Sequence, residues 1–196
     1  NNCMAGLTLV DTMVKYGVPY LIFSSTAATY GEPEYTPIDE EHPKHPTNAY
    51  GESKLIVERM LRWNDHAHGL KYVALRYFNV AGALSDGSIG EDHSPETHLI
   101  PLVLATALGQ REKLSLFGTD YPTRDGTCVR DYIHVEDLID AHLLALEYLK
   151  AGQPSAAFNL GNGQGFTVKS LKRPGASPGA TSPCRKKAAA PATPPP

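Results

Sequence analysis

The sequence predicts an α/β protein with a partial, doubly wound parallel sheet. Helical patterns alternate along residues 1–171 with short apolar runs of the kind found in buried strands, and such alternation favours parallel strands joined by helices. Glycine and proline punctuate most of these segments. The composition, 41% hydrophobic and 20% charged residues in a chain of 196, is that of a globular protein with a sizeable core.

The first part of the chain predicts two helices on either side of one strand. Residues 4–16 place four apolar side chains on one helical face, and Gly17 ends that helix. Residues 20–23, Tyr-Leu-Ile-Phe, form an apolar run with the length of a buried strand. Four prolines predict a loop over 31–48, and apolar residues at helical spacing predict a second helix over 49–68.

The second part repeats the alternation with longer loops. Aromatic and β-branched residues predict a strand over 72–78. The predicted segments that follow are a glycine-containing loop over 82–90, a helix over 99–109, loops and short strands over 114–131, a helix over 136–150, a strand over 156–160 and the start of a further helix over 166–171. Strands separated by helices in this way indicate parallel pairing.

A change of composition at about residue 171 divides the chain into two parts. Residues 172–196 contain seven prolines and no Leu, Ile, Val or aromatic residue. This segment has too little apolar surface to offset the entropy of ordering, so we predict an ordered domain over 1–171 and a disordered tail over 172–196. The abrupt change is typical of a reading-frame shift in a GC-rich gene, which the nucleotide sequence would test.

Charge and cysteine content narrow the class of protein. Residues 1–171 carry a net charge of −8 and residues 172–196 one of +5, and an acidic body favours no nucleic-acid partner. No apolar run reaches the ~18 residues that a membrane span requires. The three cysteines are far apart and odd in number, which predicts neither a disulfide framework nor a structural zinc site. We therefore expect reduced thiols in a cytoplasmic protein.

The candidate catalytic residues are Tyr50 and Lys54, which begin and end the segment Tyr-Gly-Glu-Ser-Lys. Positions i and i+4 share one face of a helix, and a nearby ammonium lowers the pKa of a phenol from about 10. The pair can therefore act as a general acid/base. Ser24 and Thr26 follow the first strand, at the edge where open α/β sheets bind ligands. The alternatives are a surface Tyr–Lys contact and a local Ser/Thr turn.

The histidines and the acidic loops predict no metal site. His42 and His45 lie in a proline-rich loop, and His66 and His68 lie near the end of a helix. None of them has a carboxylate or cysteine at the spacing of metal ligands, so we predict surface histidines. The segment 86–92 lacks the twelve-residue pattern of a calcium loop.

Several stretches resemble the extended short-chain dehydrogenase/reductase family. They are FSSTAATYGE at 23–32, NAYGESK at 48–54, LRYFNVAGA at 75–83 and LFGTDYPTRDGTCVRDYIHVEDL at 116–138, with shorter matches at 1–2, 90–92, 98–101 and 159–163. The resemblance covers residues 1–171. It implies a Rossmann-like sheet with a small substrate-binding α/β portion. It also implies NAD as cofactor, a UDP-hexose as substrate, and interconversion of UDP-glucose and UDP-galactose by oxidation and re-reduction at the sugar C4. For the complete enzyme, it implies assembly as a homodimer.

The resemblance also implies roles for individual residues. The implied catalytic residues are Tyr50, Lys54 and Thr26. The implied contacts to NAD come from Asn1, Ser24, Thr26, Tyr50, Lys54 and Phe78. The implied contacts to the substrate come from Thr26, Asn79, His98, Leu99, Ser115, Leu116, Phe117 and Arg130. His98 departs from the family pattern, which has asparagine at this position.

The glycine-rich turn that cradles a dinucleotide does not precede Asn1. We therefore expect the chain alone to be inactive, and a non-catalytic fragment or pseudo-enzyme is one alternative. Another NAD-dependent nucleotide-sugar epimerase is a second alternative, and a preference for N-acetylated sugars stays open. A related sugar-nucleotide dehydratase would need an Asp-Glu pair after the strand hydroxyl, whereas Ala27 and Ala28 follow Thr26.

Overall fold

The computed structural model describes residues 2–172 and contains four helices and seven strands in that range. The helices are α1 (Asn2–Lys15), α2 (Ala49–His68), α3 (Leu99–Ala107) and α4 (Val135–Lys150). The strands are β1 (Tyr20–Ser24), β2 (Lys71–Tyr77), β3 (Asn79–Ala81), β4 (Val129–Arg130), β5 (Tyr132–His134), β6 (Ala156–Leu160) and β7 (Phe166–Thr167). The predicted helix over 49–68 and the predicted strand over 156–160 are confirmed at both ends.

The main sheet is parallel, in the order β1-β2-β6. Tyr20 of β1 pairs with Lys71 of β2, and Val73 of β2 pairs with Ala156 of β6. Parallel strands need crossover connections, and α2 supplies the one between β1 and β2. The carboxyl ends of the three strands therefore lie along one edge of the sheet.

Helices cover both faces of this sheet, which confirms the predicted doubly wound α/β fold. Because successive strand residues point to opposite faces, Tyr72 packs on the side of α1 and α2, whereas Val73 packs on the side of α4. The first core contains Val10, Met13, Val57, Leu61 and Leu70. The second core contains Val73, Leu75, Ala145 and Leu149.

Helix α2 begins and ends at residues that satisfy its backbone. The Asn48 side chain accepts a hydrogen bond from the backbone N–H of Gly51 at 2.8 Å, as an N-cap does. At the other end Gly69 adopts φ 72°, a left-handed conformation that glycine tolerates. The Asn48 cap sets where the helix starts, and this start places Tyr50 in the first turn.

Two short sheets extend beyond the main one. Strand β3 pairs in parallel with β5, and β4 pairs antiparallel with β7. The prediction of a helix starting at 166–171 is wrong: Phe166 pairs with Arg130, and a short 3-10 turn follows at Ser170–Lys172. Backbone pairing with a strand that is distant in sequence overrides the local pattern here.

His42 also differs from its prediction as a surface histidine, because it is completely buried. Its Nε2 atom accepts a hydrogen bond from the backbone N–H of Glu34 at 3.0 Å, and its ring contacts those of Tyr30 and Tyr35. The imidazole therefore organises the proline-rich loop from within, and it does so with its polar atoms satisfied.

Two predictions concern residues outside the described range. The contact of Asn1 with NAD falls on a residue that the structure does not describe, and so does the disordered tail from residue 173 onward. Among residues 2–172, no helix is both long and apolar enough to cross a membrane. Cys3 and Cys128 are free thiols in this range.

Candidate active site

The first turn of α2 brings Tyr50 and Lys54 to the carboxyl end of β1. The Lys54 Nζ atom donates a hydrogen bond to the backbone carbonyl of Ser24, the last residue of β1, at 2.9 Å. The same ammonium lies 5.1 Å from the centre of the Phe23 ring and 5.8 Å from that of Tyr50. Lysine thereby connects the helix to the strand end, and the phenol lies beside it.

Burial raises the pKa of Tyr50, and the neighbouring Tyr77 hydroxyl acts in the same direction. Hydrogen bonding with the Thr26 side chain acts against both effects. The prediction that Lys54 lowers this pKa below its usual value is therefore wrong for this structure. The ammonium points at the Ser24 carbonyl, and its own pKa is lowered by burial. Tyr50 consequently keeps its proton near neutral pH.

Thr26 lies directly after β1 and faces the Tyr50 phenol. Its hydroxyl accepts a hydrogen bond from the backbone N–H of Ala28 at 3.2 Å and caps a short 3-10 turn over Ala27–Thr29. This turn packs against α2 at Gly51, where a Cβ atom would lie 2.4 Å from the Ala28 carbonyl oxygen. Glycine at position 51 is therefore what lets the helix approach the Thr26 turn closely.

Ser24 contributes its carbonyl to Lys54 and its hydroxyl to a different partner. The Ser24 Oγ atom lies 3.1 Å from Nε2 of His142 on α4. The other ring nitrogen of His142 contacts the backbone carbonyl of Leu138 at 2.8 Å. Because a carbonyl only accepts, His142 donates from Nδ1 and accepts from the Ser24 hydroxyl when the imidazole is neutral. The hydroxyl at the strand end is thus oriented by the helix on the far face.

A buried ion pair between Glu58 and Arg76 holds α2 against the ends of β1 and β2. Glu58, on α2, receives two hydrogen bonds from the Arg76 guanidinium, at 3.0 and 2.6 Å. It also accepts one from the Ser25 hydroxyl at 2.5 Å. Arg76 donates further to the Tyr30 hydroxyl at 2.8 Å. The network ties α2 to the ends of β1 and β2, and no sequence pattern singled it out.

A cavity of about 1100 Å³ opens beside the carboxyl end of β2, where Tyr77 and Phe78 line it. It is lined by four of the eight residues implied to contact the substrate, namely Asn79, His98, Leu99 and Arg130, together with Phe78 from the cofactor set. Tyr50 and Thr26 do not line it. Tyr77 lines the cavity and also influences the Tyr50 phenol, so it connects the two parts of the site.

Polar groups in the cavity are held by the backbone. Asn79 donates from its amide to the backbone carbonyl of Asp131 at 2.9 Å. The Asp131 carboxylate accepts from the N–H groups of Asn162 and Gly163, at 2.7 and 2.8 Å. Arg130 is exposed and uses one nitrogen on the Val129 carbonyl at 2.9 Å. Among the described residues its other donors have no partner. Asp131 does not line the cavity, but it holds Asn79 in place, a role that sequence reasoning missed.

The segment 115–117 is not brought to the cavity. The resemblance implied a uracil-binding strand at Ser115, Leu116 and Phe117, yet these residues form no strand and do not line the cavity. The Phe117 residue is 87% exposed. No strand among residues 2–172 pairs with this segment, so its backbone has no partner that would hold it in place.

The loop before α3 carries polar residues that no sequence pattern grouped together. Glu91 and His98 contact each other through a carboxylate oxygen and Nδ1. Glu96 accepts hydrogen bonds from the backbone N–H groups of Thr97 and His98, both at 2.6 Å. Hydrogen bonding to the N–H of His98, and then to that of Thr97, lowers the pKa of Glu96 below its usual range. His98 therefore stands among carboxylates at the rim of the cavity.

The sheet edge and the adjacent cavity have the arrangement of the ligand-binding edge of an open α/β protein. Comparison with known proteins narrows the class: the profile of the NAD dependent epimerase/dehydratase family matches residues 1–161. The chain belongs to this family.

Known relatives are consistent with that assignment. The UDP-glucose 4-epimerase of Lacticaseibacillus casei is 59% identical over 167 residues, which are 85% of this chain and 50% of the relative. The structure of the Brucella ovis UDP-glucose 4-epimerase with NAD superposes with a TM-score of 0.84 at 48% identity, over 87% of this chain and 53% of that one. The structure of the Bifidobacterium longum UDP-glucose 4-epimerase with NAD+ and UDP superposes with a TM-score of 0.79 at 40% identity, over 86% of this chain and 51% of that one. The chain thus spans about half the length of its relatives.

Proposed function

We propose that this chain supplies the acid/base group and part of the sugar-nucleotide site of an NAD-dependent UDP-hexose 4-epimerase, which interconverts UDP-glucose and UDP-galactose. The observation that carries the proposal is the convergence of Tyr50, Thr26 and Lys54 at the carboxyl edge of the sheet, beside a cavity that contains Arg130. The relatives named UDP-glucose 4-epimerase support it.

The residues at this edge fit a nicotinamide cofactor. Lys54 Nζ carries three N–H donors, and among the described residues one of them is used, by the Ser24 carbonyl. The others are available for ribose hydroxyls. Phe78 and the oriented Ser24 hydroxyl complete the surface that would hold the ring. When bound, NAD supplies the acceptor and donor of hydride at the sugar C4.

Tyr50 is the group that exchanges a proton with the sugar 4-hydroxyl in this proposal. Its phenol is half exposed, and the nearby Thr26 side chain acts on its pKa, so we place the threonine hydroxyl between the sugar and the phenol as a proton relay. A general acid/base of this kind contributes about 10²–10⁴ in rate.

Arg130 and Asn79 are the groups that hold the diphosphate. A guanidinium presents a fixed fork of donors that suits phosphate oxygens, and Arg130 is exposed at the cavity with donors to spare. Asn79 is held by the Asp131 carbonyl and presents its side chain from the start of β3. His98 and Leu99 lie at the N-terminus of α3 and face the same volume.

Binding of UDP tests the diphosphate role independently of turnover. Calorimetric titration of the full chain with UDP should show weaker binding for Arg130→Met by roughly 10- to 100-fold, because a hydrogen bond to a charged group contributes about 1.5–3 kcal/mol. Arg124→Met removes an exposed arginine that does not line the cavity, and it should bind UDP as the unaltered chain does. Equal loss in both variants would refute a specific role for Arg130.

Conversion of UDP-galactose with NAD tests the acid/base in a protein that joins this chain to the N-terminal half of a UDP-glucose 4-epimerase relative, because we expect the chain alone to be inactive. Tyr50→Phe should lower kcat by about 10²–10⁴, whereas Tyr16→Phe, an exposed tyrosine at the end of α1, should not change it. An unimpaired Tyr50→Phe would refute the assigned base. UDP binding without turnover in the joined protein would instead support the alternative of a non-catalytic fragment.

A further inference from the structure

Two histidines and two glutamates meet on the loop that leads into α3. They are Glu91, His93, Glu96 and His98, and one ligand atom from each lies within 4.8 Å of those of the other three. All four come from a segment of eight residues with the spacing Glu-x-His-x-x-Glu-x-His. No residue of this group belongs to the acid/base pair at the edge of β1.

We propose that these four side chains bind a divalent cation of the Zn²⁺ type. Imidazole nitrogen and carboxylate oxygen are ligands that Zn²⁺ accepts in a tetrahedral arrangement. The Nδ1 atoms of His93 and His98 each lie 3.5 Å from Oε1 of Glu96. With metal–ligand bonds of about 2.0–2.1 Å, the edges of such a tetrahedron measure about 3.3–3.4 Å, so these atoms are already close to the required spacing.

The charge of the cluster favours a cation. Glu91 and Glu96 bring two negative charges together, and no Lys or Arg among residues 2–172 forms an ion pair with either carboxylate. Their partners there are the two imidazoles, and a neutral imidazole is itself a common metal ligand. A dication neutralises both carboxylates at physiological pH and takes the place of the His–Glu contacts.

The ligands are held in place before any ion binds. Two backbone N–H groups fix Oε1 of Glu96, at 2.6 Å each. The rings of His93 and His98 stack with their centres 5.0 Å apart. Ligands held by neighbouring hydrogen bonds and packing lose less freedom on binding a metal. A metal that enters the cluster replaces the direct contact between Glu91 and His98, while His93 and Glu96 already lie beside it.

The proposed cation site lies next to the cavity of the candidate active site. Glu91 and His98 line the cavity that also contains Arg130, so the ion would lie at the rim of that cavity. The proposal concerns the cation alone, and its test does not depend on UDP, NAD or turnover. Failure of the epimerase proposal would leave it standing, and its own failure would leave the epimerase proposal standing.

Calorimetric titration with Zn²⁺ alone tests the site. The full chain is used near neutral pH with Cys3, Cys128 and Cys184 alkylated, so that thiolates do not compete. We expect about one equivalent to bind, and His93→Gln or His98→Gln to weaken binding by at least about 10- to 100-fold, the loss typical of removing even a residue that only supports a ligand. His68→Gln and Glu112→Gln alter exposed residues elsewhere and should bind as the unaltered chain does.

A second measurement needs no variant. The imidazole proton resonances of His93 and His98 should shift on addition of Zn²⁺ to the unaltered chain, while those of His66 and His68 stay in place. Affinity should fall on acidification, because protons compete with the metal for the imidazole nitrogens and the carboxylates. Three results would each overturn the proposal: no saturable binding, an affinity of His93→Gln and His98→Gln equal to that of the unaltered chain, or resonance shifts confined to other histidines.

Discussion

Removing one partner of the buried Arg76–Glu58 pair should destabilise the protein strongly. The two residues are 4% and 7% exposed, and the guanidinium reaches the carboxylate through bonds of 3.0 and 2.6 Å. Arg76→Met leaves the Glu58 carboxylate buried with the Ser25 hydroxyl as its remaining side-chain partner. An uncompensated buried charge of this kind costs about 3–5 kcal/mol.

A double variant tests whether the loss of stability in Arg76→Met comes from leaving one buried charge unpaired. Glu58→Met with Arg76→Met removes both charges and keeps apolar volume, and such replacements are often neutral. Here the hydroxyls of Ser25 and Tyr30 also lose a partner, at about 1 kcal/mol each. We therefore expect the double variant to lose about 2 kcal/mol, less than Arg76→Met alone.

Urea unfolding followed by far-ultraviolet circular dichroism measures these free energies. The control is the exposed pair Arg59–Glu52, at 3.7 Å with side chains 62% and 47% exposed. Arg59→Met should change the free energy of unfolding by no more than about 1 kcal/mol. If Arg76→Met proved as stable as Arg59→Met, or if the double variant lost as much stability as Arg76→Met alone, the reasoning about the buried pair would be refuted.

Three further predictions concern stability. Gly51→Ala should lower the urea midpoint, because the added Cβ would lie 2.4 Å from the Ala28 carbonyl oxygen and overpacking costs about 1–3 kcal/mol; an unchanged midpoint would contradict this. Asn48→Ala removes the cap of α2 and should cost about 1 kcal/mol in the same assay, and no loss would mean that the cap is dispensable. Hydrogen bonding to the Thr127 hydroxyl first, and then to that of Thr167, lowers the pKa of Asp125 from 3.8 to about 2. Its stabilising effect is therefore complete above the unfolded-state pKa and is lost as the pH falls through the folded-state value. Unfolding at a series of pH values should show a flatter acid limb for Asp125→Asn, and identical limbs would exclude the effect.

Local sequence patterns determined the main elements of this protein. Apolar spacing and a glycine stop predicted α2 over 49–68, and an apolar run predicted β6 over 156–160, both with correct ends. These predictions succeed because helices and buried strands report their periodicity in neighbouring residues. The spacing of Tyr50 and Lys54 likewise follows from helix geometry alone.

Tertiary structure decided what depends on residues that are distant in the chain. Strand β7 forms at 166–167 because β4 lies beside it, and His42 is buried because its loop folds over it. The direction of the Tyr50 pKa shift reflects burial and the neighbouring Tyr77. None of these contacts leaves a mark in local periodicity.

The candidate site also combines residues that the sequence predicted with residues that only the tertiary structure brings together. Motif resemblance named Tyr50, Thr26 and Arg130, which the fold places at one sheet edge and in the adjacent cavity. It did not find the Arg76–Glu58 pair or the four-residue cluster before α3, since charge pairing and metal geometry depend on distances through space. A sequence states which chemical groups are available, whereas the packing of strands and helices decides which of them meet.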